Sequence, residues 1–219
     1  MTKAEAKAEF LARYYATLTI DAPGWENADI SNFLTQAQYR VIESYALSNI
    51  FDPISNLIRI ITCVKNVPKT DLGSNSMIFY IHNAESNFLY FVRASCTLNE
   101  DATDVIPCEY IQPHEANLYI ANSNNITVFR NPKVFIERFA DNNVLSQRFI
   151  VIFSVNNTDG TANTIGNLYL TYVGDPGRIN IATNTNDPLC AINSITHPKI
   201  IEEAVKIGVQ SLLSMQRQQ

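Results

Sequence analysis

The chain has 219 residues, 46% of them hydrophobic and 17% charged, with a formal net charge of -5. That balance supplies ample apolar area for a core and excludes a disordered polymer. Its few Lys and Arg residues are thinly spread, which argues against a nucleic-acid binder and leaves a protein partner open.

Taken in chain order, Lys3 to Leu18 is a predicted helix, rich in Ala, Glu, Lys, Leu and Arg. Phe10, Leu11, Tyr14 and Leu18 fall at helical spacing, and Asp21, Pro23 and Gly24 break the pattern. Before it there is no apolar signal segment, and no apolar run reaches the ~18 residues of a membrane span. A second helix is expected from Asp29 or Ser31 as N-cap to about Asn49. Its apolar stripe is Ile30, Phe33, Leu34, Ala37, Val41 and Tyr45.

From Leu57 to Val173 the pattern becomes β-like. The predicted strands are Leu57–Val64, Met77–His82, Phe88–Leu98, Lys133–Phe139, Phe149–Val155 and Leu168–Val173. Clusters at Asn66–Asn75, Asn83–Asn87, Asn122–Asn125 and Asn156–Gly160 read as turns. Alternation is nearly absent in Arg148-Phe-Ile-Val-Ile-Phe153, as expected of a strand buried on both faces. A short helix is expected between Pro113 and Ala121. The last segment returns to helix, opened by His197-Pro198 with Glu202 and Glu203 following. Ile201, Ala204, Val205, Gly208, Val209 and Leu212 carry its stripe.

These elements predict an α+β fold. An antiparallel β-sandwich or partly closed barrel is inserted between amphipathic N-terminal and C-terminal helices. The expected organisation is one domain, helical over 1–52, β-rich over 53–190 and helical again over 191–219.

No catalytic, cofactor-binding or metal-ligating residue is assigned from the sequence. His82, His114 and His197 each stand alone in their segments, whereas a metal site needs converging ligands. Cys63, Cys96, Cys108 and Cys190 form no CxxC. The first three lie in or beside apolar runs and read as core thiols. Nucleophile-elbow, dinucleotide and phosphate-loop motifs are absent from the sequence.

Glu100, Asp101 and Asp104 suit a solvated hairpin tip better than a cation site. Asn156-Asn-Thr-Asp-Gly160 lacks the spaced carboxylates of a calcium loop and reads as a hairpin turn. Asn125-Ile-Thr127 and Asn156-Asn-Thr158 are glycosylation sequons by pattern, which chance supplies in an Asn-rich chain. Phe79, Tyr80, Phe88 and Tyr90 are the aromatics that would line a sugar site, but inside strands they read as core.

Two segments stand out: the helix around Asn32-Phe-Leu-Thr-Gln-Ala-Gln-Tyr-Arg-Val41, preceded by Trp25-Glu26, and the closing His197-Pro-Lys-Ile-Ile-Glu-Glu-Ala-Val205. Together they look like the frame of phage neck proteins. The chain resembles the ring or adaptor proteins stacked below the portal in crAss-like podoviruses of gut Bacteroidota. The resemblance covers both helical ends, about a third of the chain, and does not extend to the β body.

It implies a non-enzymatic virion protein of the neck, made in the host cytoplasm. Copies would form a closed homo-oligomeric ring, commonly twelve-fold in that family. The implied partners are the portal and neighbouring tail or neck rings, with genomic DNA passing through unbound and no membrane. Two other functions compete with it: a β-sandwich module binding a glycan or receptor, and a hydrolase with a dispersed site.

Overall fold

The computed structural model describes residues 1–18, 24–68, 75–80, 88–98, 103–119, 131–141, 144–154 and 164–217. Internal packing divides the chain into two compact units, one of 1–58 with 175–219 and one of 59–174.

The first unit is helical. Helix α1 (Lys3–Thr17) starts at a capping box, where Thr2 and Glu5 satisfy each other's backbone N–H groups. Helix α2 (Asn27–Leu47) starts earlier than the N-cap residues Asp29 or Ser31 would place it. Asp29 sits one turn inside, and its carboxylate accepts from the Glu26 N–H at 3.3 Å. Ser31 donates instead to the Asn27 carbonyl at 2.7 Å. Helix α3 (His197–Gln216) follows a short 3-10 turn (Ser194–Thr196), with Pro198 in its first turn, where no N–H is missed.

Helix α3 packs against both α1 and α2. Phe10, Tyr14, Trp25 and Phe33 form a chain of ring contacts, with Trp25 and Phe33 centroids 4.9 Å apart. Gly208 of α3 lies where Phe10 and Phe33 converge: a Cβ there would stand 3.3 Å from Phe10 Cζ. The small residue is what admits both rings. Ile30, Leu34, Ala37, Ile42, Ile200, Ile201 and Ala204 are fully buried in the same unit.

Residues 175–190, assigned above to the β-rich region, contain no named strand. Residues 175–181 run along α2 instead, held by its side chains. Asp175 accepts from the Tyr39 hydroxyl at 2.6 Å and from the Gly177 N–H at 2.8 Å. Gly177, at φ +80°, offers its carbonyl to Gln38 Nε2. Thr35 and Ser31 accept from the Ile179 and Ile181 N–H groups. Positions 31, 35, 38 and 39 share one helix face, which is why a single extended segment can meet all four.

The second unit is a seven-stranded mixed sheet that curls into a barrel. Its strands are β1 (Ile58–Pro68), β2 (Ser76–Tyr80), β3 (Phe88–Leu98), β4 (Val105–Tyr110), β5 (Lys133–Asp141), β6 (Val144–Ile152) and β7 (Ile165–Gly174). They follow the order β1-β2-β6-β5-β4-β3-β7. Of the expected forms, it is the barrel.

The expected antiparallel pairing has one departure, because β4 and β5 run parallel. The connection between them spans 111–132 and contains a 3-10 helix (Pro113–Leu118), long enough to return the chain to the same end. Strand β4 is not among the strands expected from sequence, and it contains Pro107, which has no N–H for a ladder. The structure accommodates Pro107 because β4 pairs with β5 only at Glu109 and Tyr110, so no ladder bond is required of it on that side.

Every named strand except β4 gives buried side chains to one interior cluster, among them Cys63, Phe79, Cys96, Val134, Phe149, Val151 and Leu170. The opposite faces of β2, β5 and β6 contribute Ile78, Phe135, Ile150 and Ile152 to a second cluster with Ile111 and Ala116. Strand β6 is therefore buried on both sides, as its unbroken apolar run predicted. Asn75 secures that covering segment: its side-chain amide donates to the Tyr119 and Phe153 carbonyls at 3.1 and 2.9 Å.

Candidate interaction surface

The residues with potential chemistry are dispersed through both units. His114 is exposed on the 3-10 helix, and His197 is buried at the start of α3. His82, Glu100, Asp101, Tyr80's side chain and the Asn156–Gly160 turn lie outside the described residues, as do both sequons. Asp104 is exposed. Among the described residues no group of three or more His, Cys, Asp and Glu converges as a metal site would require.

Cys63 and Cys96 are buried in the barrel interior, and Cys108 packs beside them. Contact with Cys96, together with burial, pushes the Cys108 thiol up and keeps it protonated. Phe79 is fully buried, while Phe88 packs on Phe149 and Tyr172 with centroids 5.7 and 5.5 Å away. Phe79 is thus committed to the core, and Phe88 packs against it partly buried.

The helical unit presents a different kind of site. Arg40 of α2 pairs with Glu203 of α3 at 2.9 Å, and Lys199 Nζ lies 4.7 Å above the Tyr45 ring. These contacts, with Phe33 against Gly208, set α2 and α3 antiparallel. Between them runs a groove of about 370 Å³ whose walls are largely charged. On the other side of α3 lies a larger groove of about 560 Å³. Ala16 and Thr17 of α1 line it together with Val205, Val209 and Gln210 of α3, and Arg13 stands at its rim.

Glu202 and Lys206 form the ridge between the grooves, paired at 3.0 Å in the i,i+4 relationship. The Lys206 ammonium holds the Glu202 carboxyl below its ordinary value, and Glu202 in turn raises Lys206. Fully exposed charges of this kind add little stability but do fix the direction in which the ridge presents itself. Beyond the apolar groove, Leu213 and Met215 continue α3 with about half of each side chain in water (46% and 53%). Ile195, at the base of the helix, is 74% exposed.

A two-helix groove with an apolar floor and a charged ridge has the form that receives another helix or a small apolar knob. Val205 and Val209 were visible in the sequence as members of the α3 stripe. Ala16 and Thr17 were not, because nothing in a helix-forming run marks which positions a distant helix will leave open. No described helix is long and apolar enough to cross a membrane. The chain matches no model of a known protein family and no curated protein.

Proposed function

We propose that this protein is an assembly subunit of a tailed-phage neck, forming a homo-oligomeric ring between the portal and the tail. The observation that carries the reading is the α1/α3 groove, with Val205 and Val209 on its floor and the exposed Leu213 beyond it. Apolar surface of this kind, framed by charge, suits a contact with a neighbouring subunit. A groove on one copy that meets a different surface on the next gives a head-to-tail interface, and such interfaces close into rings when the rotation allows. The resemblance of the two helical ends to neck ring proteins supports the same conclusion, since those ends build the unit that carries the groove.

The net charge of -5 suits a channel through which DNA passes without being held, because few cations are offered to phosphates. In this reading the protein acts without catalysis and resides in the virion neck after synthesis in the host cytoplasm. The test is purification alone and with a candidate portal, followed by mass measurement and negative-stain imaging. Closed rings, formed alone or on the portal, are expected. A monomer that ignores the portal would overturn the proposal.

A further inference from the structure

His197 opens α3 and is only 3% exposed. Its Nε2 lies 3.3 Å from the Ile192 carbonyl oxygen. A carbonyl oxygen only accepts, so Nε2 carries the proton and donates it there. Among the described residues Nδ1 has no hydrogen-bond partner and is left as a buried lone pair. The ring sits in the first turn of a 20-residue helix, where the unsatisfied N–H groups make the surroundings positive.

The groups acting on the ring are few. Burial disfavours the imidazolium and sets the histidine below its ordinary value; the Met1 amino group acts in the same direction, opposed by the Ile192 carbonyl. Cys190 contacts the same Ile192 backbone, and burial pushes its thiol up, so it brings no negative charge. Lys199, two residues along α3, is directed onto the Tyr45 ring of α2. No carboxylate among the described residues acts on the ring.

We propose that His197 is an acid-sensitive latch: protonation at Nδ1 releases the first turn of α3 from the segment ending at Ile192. The added proton creates an N–H with no acceptor and a positive charge at the positive end of a helix. Both penalties vanish when the turn opens and the ring reaches water.

The folded form resists protonation that the unfolded chain accepts near pH ~6.5. Stability is therefore fully present above that pH and is lost as pH falls towards the folded value. The test compares denaturant midpoints of the full chain and His197→Gln from pH 7.5 to 5. Glutamine keeps an amide donor for Ile192 and does not titrate. The wild-type folding constant is expected to fall by up to about tenfold more per pH unit below ~6.5 than that of the variant.

Parallel loss in both proteins would overturn the proposal. Should the variant not fold, NMR titration of the His197 ring in the wild type decides. A midpoint below ~6.5, with amide exchange quickening at the start of α3 as the ring protonates, is the expected result. A midpoint at or above that value would overturn it.

Discussion

Glu109 and Lys133 stand directly opposite each other across the β4·β5 pair, the parallel pairing among the described strands, and their side chains form an ion pair. The pair is asymmetric. Lys133 has 8% of its side chain exposed and Glu109 has 57%, and the Lys133 ammonium also lies 5.0 Å from the centre of the Tyr119 ring.

That asymmetry predicts unequal costs for removing either partner. Glu109→Gln removes the negative charge facing a buried ammonium, and a loss of about 1–3 kcal/mol is expected. Lys133→Met leaves a carboxylate that water can solvate and fills the buried path with methylenes, so it should cost less. Urea denaturation of the two variants measures the difference. Equal losses would mean that the pair acts as an ordinary surface contact.

Tyr39 and Asp175 make a second prediction, because their 2.6 Å hydrogen bond ties residues 175–181 to α2. Burial, then the hydrogen bond to Asp175, pushes the Tyr39 phenol up to about 12. The raised folded value means that this contribution is complete below the unfolded pKa of ~10 and disappears as pH rises towards 12. Tyr39→Phe should cost about 1 kcal/mol at neutral pH and flatten the alkaline loss of stability between those values. Thermal melts across that range, wild type beside variant, check both parts.

Gly208 of α3 faces Phe10 of α1 and Phe33 of α2. A methyl group there would sit 3.3 Å from Phe10 Cζ and 3.6 Å from two carbons of Phe33, a tight but adjustable fit. Gly208→Ala also gains helix propensity of about 1 kcal/mol, so it should melt close to the wild type. Gly208→Leu must displace both rings and is expected to cost about 1–3 kcal/mol or more. Calorimetry of the pair separates close packing from helix propensity at this site.

Much of this architecture was readable from the chain. The apolar periodicity of α1, α2 and α3 and the β-branched runs of six strands mark their elements, because burial imposes a period of 3.6 or 2. Strand β4 escaped; it contains Pro107, which has no N–H for a ladder, and only the β5 pairing shows that the ladder stops short of it. The start of α2 was placed late because Asp29 resembles an N-cap, while its carboxylate serves Glu26 from inside the first turn.

Residues 175–181 carry no regular pattern at all, since their order comes from Ser31, Thr35, Gln38 and Tyr39 on another element. The candidate surface was half legible. Its α3 side follows from the Val205 and Val209 spacing, but the groove exists only where α1 and α3, from opposite ends of the chain, come together.

The most direct test of the assembly role uses Leu213, exposed on α3 beyond the groove and outside the packed interior. Leu213→Glu should leave the melting transition within about 0.5 kcal/mol of the wild type, as surface changes usually do. Sedimentation velocity of wild type and variant, each alone and mixed with a candidate portal, then measures assembly. Closed rings are expected from the wild type, and folded, unassembled protein from Leu213→Glu. A wild-type chain that stays monomeric at all concentrations and does not bind the portal would contradict it.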